Sequence, residues 1–222
     1  IYSMNTQYGG NSIGLKKLAM RLGINRCAQE GWLVEHMLVM GVTGPGGRIS
    51  YFTGAFPSMC GKTSTAMMNG ETIIGDDIAY LRIIDNTVRA VNVEAGIFGI
   101  IEGINDTNDP LQWNALTHPA EIIFSNVLVT EDNAVYWNGK PGVRPKTGVN
   151  FSGKWFDGKL DETGKAIPPS HKNARFTFRL EILPNVDASL HAPLGVGVKG
   201  LIYGGRDSDT SVPVEESFDW TH

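Results

Sequence analysis

The sequence lacks the cysteines of a disulfide framework. Its two thiols, Cys27 and Cys60, among 222 residues fit a reducing, cytoplasmic setting. No apolar run approaches the ~18 residues of a membrane span, and no charged-then-apolar stretch of signal-peptide type is present. Excess positive charge is missing too: the formal net charge is -4 and there is no basic stripe, which argues against a nucleic-acid partner. An initiating Met is absent, since the sequence opens on Ile1 and stops at Trp220-Thr221-His222 without a trailing helix. Those ends are expected of an internal fragment of a larger protein.

One absence is more informative than the rest. A phosphate-binding loop reads G-x-x-x-x-G-K-[ST], and Phe56-Pro57-Ser58-Met59-Cys60-Gly61-Lys62-Thr63 ends like one without its first glycine. Phe56 stands where that glycine belongs, and Gly54 comes two residues too early. The tail keeps the working parts: Gly61 for close backbone approach, Lys62 for β/γ-phosphates and the Thr63 hydroxyl for a magnesium ion.

What is plentiful is glycine. The 27 glycines stand well above the ~7% of average usage and point to tight turns rather than long helices. Asn11 or Ser12 caps a predicted helix through Leu15, Leu18, Ala19 and Leu22. Trp32 to Val42 reads as one alternating strand, with Val34, His36, Leu38, Met40 and Val42 on one face. After the turn Gly44-Pro45-Gly46-Gly47, Ile49 to Ala55 is a strand feeding the loop and Thr63 to Met68 a short helix. Thr72 to Gly75 is a brief strand ending in Asp76-Asp77. Ile78 to Ile84 and Val88 to Val91 flank a hairpin turn, and Glu121 to Thr130 and Ala134 to Trp137 form two more strands. Residues 138–172 read as loop, followed by strands at Ala174 to Leu180 and Lys199 to Tyr203. The fold class is mixed α/β with strands in the majority.

Taken singly, most candidate residues have a blander explanation. A G-K-T is common in surface turns, Asp-Asp is common in solvated ones, and a lone His36 on an apolar face is usually core. Lys16 and Lys17 read as an exposed helix pair. Cys60 reads as a small buried hydrophobe, although beside Lys62 and a helix start a thiol gains reactivity. The strand–loop–helix context favours phosphate binding, and Asp76-Asp77 then sits where a metal carboxylate is needed.

The loop together with Gly75-Asp76-Asp77 resembles the kinase motifs of GTP-dependent phosphoenolpyruvate carboxykinase. Tyr8-Gly9-Gly10-Asn11-Ser12 with Lys16-Lys17, Glu30-Gly31-Trp32-Leu33 with Glu35-His36-Met37, Asn173-Ala174-Arg175-Phe176 and Gly204-Gly205-Arg206 match further segments in the same order. A cysteine before G-K-T marks the GTP-using class. The resemblance implies Mn²⁺ held by Lys17, His36 and Asp77, and a nucleotide-bound Mg²⁺ served by Asp76 and Thr63. It implies nucleotide contacts from Ser58, Met59, Cys60, Gly61, Lys62, Thr63, Ser64 and Arg206. Substrate contacts fall to Tyr8, Gly9, Gly10, Ser58, Asn173 and Arg175, and Cys60, Lys62, Arg175 and Arg206 form the catalytic set.

The implied reaction turns oxaloacetate and GTP into phosphoenolpyruvate, CO2 and GDP, in an enzyme that is a monomer when intact. Lys17 would ligate metal only as the neutral amine. Residues 1–222 would be a partial catalytic domain with a P-loop core, the N-terminal substrate domain and the C-terminal guanine pocket and lid lying outside it. Ser64-Thr65, where animal enzymes carry Asn first, suggests a microbial branch. Two other readings remain open: a different P-loop phosphotransferase, and a truncated nucleotide-binding module inactive alone.

Overall fold

The structure, a computed structural model, describes residues 12–57 and 60–205, with the side chains of residues 12–17 and 19 excepted. Helix α1 spans Ser12–Glu30. It begins at Ser12 itself, so of the two cap candidates only Asn11 precedes it, outside the described residues. Strands β1 (Leu33–Glu35), β2 (Leu38–Thr43) and β3 (Ile49–Ala55) follow, then helix α2 (Lys62–Ala66) and strand β4 (Thr72–Gly75). Next come β5 (Ala79–Ile84), β6 (Thr87–Asn92), β7 (Gly96–Ile100) and helix α3 (Pro110–Thr117). The rest is β8 (Ile122–Ser125), β9 (Leu128–Val129), β10 (Val135–Tyr136), β11 (Thr147–Asn150), β12 (Gly153–Phe156), β13 (Arg175–Arg179) and β14 (Val196–Tyr203).

Three sheets result. The main one has seven strands in the order β1-β5-β6-β14-β3-β2-β4, with β3 and β14 parallel and the other pairs antiparallel. A second sheet runs β10-β9-β11-β12 and a third β7-β13-β8. The predicted hairpin is present: Asp85 and Asn86 at its turn have φ of 49° and 58°, the left-handed pair that suits a two-residue hairpin turn.

Trp32 to Val42 is not one strand. It breaks at His36 and Met37, so that β1 pairs with β5 while β2 pairs with β3 and β4. A second break, at residues 76–78, separates β4 from β5. Glu35 pairs with Ala79 and Val39 with Gly75, so the two bends face each other. They bring the edge strands of the seven-stranded sheet together and curl it. Alternation in β2 then serves two cores. Met37 and Val39 pack with Ile74, Ala79, Leu81 and Val198 inside the curl. Leu38 and Met40 pack outside it against α2, β7, β13 and α3, through Ala66, Ile97, Phe176, Phe178 and Leu116.

β4 is pinned at its start. The buried Asp187 carboxylate accepts hydrogen bonds from the Thr72 and Tyr51 hydroxyls and the Ser189 N–H, while Ile73 exchanges backbone bonds with residues 185 and 187. Each bond is worth about 1 kcal/mol net, more where an ion takes part. Together they fix the strand that delivers Asp76 and Asp77.

Candidate active site

Phe56, which displaces the missing glycine, has a structural role. The parallel pair β3–β14 continues one bond further, Gly204 N–H donating to the Ala55 carbonyl at 2.8 Å. The Phe56 ring lies over this junction, so close to Gly54 and Gly204 that a methyl group on either would overlap it. Glycine is therefore needed at 54 and 204, flanking the loop, rather than at 56. Gly204→Ala is expected to cost ~1–3 kcal/mol in urea unfolding by forcing the ring aside. Gly205→Ala, where a methyl group meets nothing within 4 Å, is expected to stay within ~0.5 kcal/mol. Equal effects at the two positions would contradict this packing.

Past the ring, Cys60 N–H donates to the Pro57 carbonyl at 3.0 Å, and Gly61 turns the chain into α2 with φ of 90°. That left-handed conformation is strained for any residue with a Cβ. Thr65 closes the turn, its N–H and hydroxyl both reaching the Gly61 carbonyl at 2.8 Å. Lys62, Thr63 and Ser64 thereby face a cavity of about 750 Å³.

The facing bends supply the opposite charge. His36 Nε2 lies 2.6 Å from Asp77 Oδ1, and Lys62 Nζ forms an ion pair with the same oxygen. Asp77 and Lys62 are both mostly buried and Asp76 is 5% exposed. His36 is exposed at the bend, which corrects its expected place on an apolar strand face. A carboxylate that draws an imidazole and an ammonium to one oxygen forms short charge-assisted contacts and is placed to attract a cation.

Arg175 enters from β13. Its Nε donates to Asn173 Oδ1 at 2.8 Å, and its guanidinium lies 5.1 Å from the centre of the Phe98 ring on β7, a cation–π contact. Burial pulls the Arg175 pKa down from its ordinary value, yet a guanidinium stays charged at neutral pH. Arg175 lines the cavity; Asn173 is exposed behind it.

Thus His36, Gly61, Lys62, Thr63, Ser64, Asp76, Asp77 and Arg175 share one cavity. Cys60 adjoins it, half-buried. Tyr8, Gly9, Gly10, Ser58, Met59 and Arg206 lie outside the described residues, as does the Lys17 side chain. Among the described residues no three His, Cys, Asp or Glu side chains converge as a metal cluster, and no helix is long and apolar enough to cross a membrane.

Sequence reading missed the wall made by β7 and α3, which brings Phe98, Glu102, Asp109 and Gln112 to the cavity. One signal was available: Asp109-Pro110 is an N-cap residue followed by proline at the first helical position. Burial pushes the Asp109 carboxyl up from the usual carboxylate range.

Comparison with known proteins identifies the family of the chain. The family described as "Phosphoenolpyruvate carboxykinase C-terminal P-loop domain" matches residues 32–222. "Phosphoenolpyruvate carboxykinase [GTP]" of Pyrococcus abyssi is 62% identical across the whole chain, which covers 36% of that relative. The proteins of the same name from Saccharolobus solfataricus and Chlamydia muridarum are 50% and 40% identical, again over the whole chain and 35% and 37% of the relatives. The chain therefore spans about a third of the length of these relatives, and it belongs to the family of GTP-dependent phosphoenolpyruvate carboxykinases.

Proposed function

We propose that the intact protein uses this cavity to convert oxaloacetate and GTP into phosphoenolpyruvate, CO2 and GDP. Residues 1–222 form part of its catalytic domain, with the N-terminal substrate domain, the guanine pocket and the lid supplied by other segments. The observation that carries the reading is the meeting of His36 and Lys62 on one Asp77 oxygen in the cavity that Arg175 also lines. An ordinary P-loop phosphotransferase has no use for an imidazole on its metal carboxylate.

The donor set suits divalent ions. Imidazole and carboxylate are good Mn²⁺ ligands, and the buried Asp76 with the Thr63 hydroxyl offers the hard oxygens Mg²⁺ prefers. His36 and Asp77, with Lys17, would hold Mn²⁺, and Asp76 and Thr63 would serve the Mg²⁺ of the nucleotide. When bound, the two ions supply Lewis-acid polarisation and neutralise phosphate charge.

The chain's own residues orient the reactants and balance their charge. Arg175, held by Asn173 and stacked on Phe98, presents a fixed guanidinium to the substrate carboxylate, a geometry lysine cannot reproduce. Tyr8, Gly9, Gly10 and Ser58 complete the substrate side. As the carbon–carbon bond breaks and CO2 leaves, the electron pair stays as an enolate. The enolate oxygen attacks the γ-phosphorus in line, and GDP departs. Lys62 and Arg206 stabilise the charge spreading over the phosphoryl oxygens, while Ser58, Met59, Cys60, Gly61 and Ser64 border the phosphates.

Cys60 provides the test. Cys27 is buried and Cys60 is the more accessible of the two thiols. A thiol reagent is expected to inactivate the intact protein, GTP to slow that inactivation by ~10-fold or more, and Cys60→Ser to abolish it. Equal inactivation with and without GTP would count against Cys60 bordering the phosphates.

A further inference from the structure

The wall of β7 and α3 brings no lysine or arginine of its own to the cavity lining. Lys62 and Arg175 offer positive charge to phosphate and carboxylate groups, whereas Glu102 and Asp109 offer negative charge and Gln112 a neutral amide. Gln112 is 4% exposed, borders the cavity and has no hydrogen-bond partner for its side chain among the described residues. Its amide opens onto the cavity, where a ligand can use both its donor and its acceptor. Asp109 caps α3 with no side-chain bond to the helix. Its carboxylate there offsets the positive end of the helix dipole, which removes any attraction for phosphate.

The wall is also held firmly. Trp137 Nε1–H donates to the Ile104 carbonyl at 3.0 Å and Gly103 N–H to the Asn138 carbonyl at 2.8 Å. Asn105 Oδ1 accepts from the Thr107 and Asn108 N–H groups.

We infer that Gln112, with Asp109 and Glu102, forms a subsite for the ribose hydroxyls of the nucleotide. This rests on the proposed nucleotide reading of the cavity and deepens it. A vicinal diol donates two hydrogen bonds, which carboxylates accept, and also accepts one, which only the amide among these three groups can donate. Phosphates and the substrate's carboxylates are repelled by the same wall. The cavity volume of about 750 Å³ lies within the roughly 300–1,000 Å³ of sites that enclose a whole small ligand, so phosphates at Lys62 and ribose at α3 fit one cavity.

The test is equilibrium binding to the intact protein of four probes: GTP, 2′,3′-dideoxy-GTP, ITP and inorganic tripolyphosphate. Wild type is expected to bind GTP ~10-fold more tightly than the dideoxy analogue. Gln112→Met, which keeps the side-chain volume, is expected to shrink that ratio toward 1 with tripolyphosphate affinity unchanged, and Asp109→Asn to shrink it with tripolyphosphate affinity unchanged or higher, since a repelling charge is lost. No ribose preference in wild type, or an unchanged ratio in both variants, overturns the subsite alone. So does a variant that loses a preference for GTP over ITP instead, because the wall would then read the base amine. If neither GTP nor tripolyphosphate binds wild type, the nucleotide reading falls and the subsite with it.

Discussion

Lys62→Ala is expected to lower turnover of oxaloacetate by roughly 10³-fold in the intact protein, with a much smaller change in KM for GTP. The magnitude follows from what a positioned cation does in phosphoryl transfer: it meets charge that spreads over the phosphoryl oxygens only as the transition state forms. The structure places Lys62 for that role. It is the first residue of α2 after the left-handed Gly61, it lines the cavity, and its ammonium group is held on Asp77. The ion pair keeps the Lys62 ammonium on the cavity wall, beside the place proposed for the triphosphate. Lys62→Arg is not expected to rescue, because a planar fork replaces a compact point charge in a tight turn. A Lys62→Ala protein with near-normal turnover would remove Lys62 from the chemistry, whatever its place in the loop.

Asp77→Asn is expected to weaken Mn²⁺ binding by on the order of 10²-fold or more, since even groups that only support a metal ligand commonly account for 10–100-fold. Calorimetry or electron paramagnetic resonance of the ion reads this directly, without turnover. The same substitution replaces the charged oxygen that Lys62 and His36 both approach with a neutral amide. Removing one partner of a mostly buried ion pair costs up to about 3–5 kcal/mol, so the variant should also unfold at lower urea. His36→Ala, at an exposed position, should weaken Mn²⁺ with little loss of stability. That contrast separates a metal role from a structural one. Unchanged Mn²⁺ affinity in both variants would show that the Asp77 cluster is only an ion pair.

How much of this was legible in the sequence depends on how local each signal is. Strands β3 and β4 carry their own boundaries, Gly-Gly before Ile49 and Asp-Asp after Gly75, and both fall where the sequence places them. The hairpin of β5 and β6 is announced by Asp85-Asn86. In contrast, Trp32 to Val42 alternates so evenly that nothing local marks the break at His36. The bend is set by a second bend 40 residues further on, and only the pairing of β1 with β5 and β2 with β4 reveals it.

β8 and β9 divide at Asn126, whose φ is 60°, though the apolar run from Glu121 to Thr130 reads as one strand. The hairpin of β11 and β12 lies hidden in a stretch rich in proline and glycine. β7 is a short glycine-containing strand, and α3 has only two turns, too few for helical periodicity to register.

The functional residues follow the same division. Lys62, Thr63, Asp76 and Asp77 sit in motifs whose chemistry is readable from spacing, and the structure brings all four to the cavity. Arg175 was recoverable only through resemblance, since an arginine opening a strand has no distinctive neighbours. Gln112, Asp109 and Glu102 belong to no motif, and only the packing of β7 and α3 against the loop discloses them. Phe56 was read as the loss of a glycine. Its neighbours Gly54 and Gly204 turn that loss into a packing requirement.

The most direct test of the central claim is phosphoenolpyruvate formation from oxaloacetate by the intact protein, measured with GTP and with ATP at saturating Mn²⁺ and Mg²⁺. The proposed chemistry predicts product with GTP or ITP, none without a divalent cation, and at most a trace with ATP. An equal rate with ATP, or product formed without a divalent cation, would contradict it.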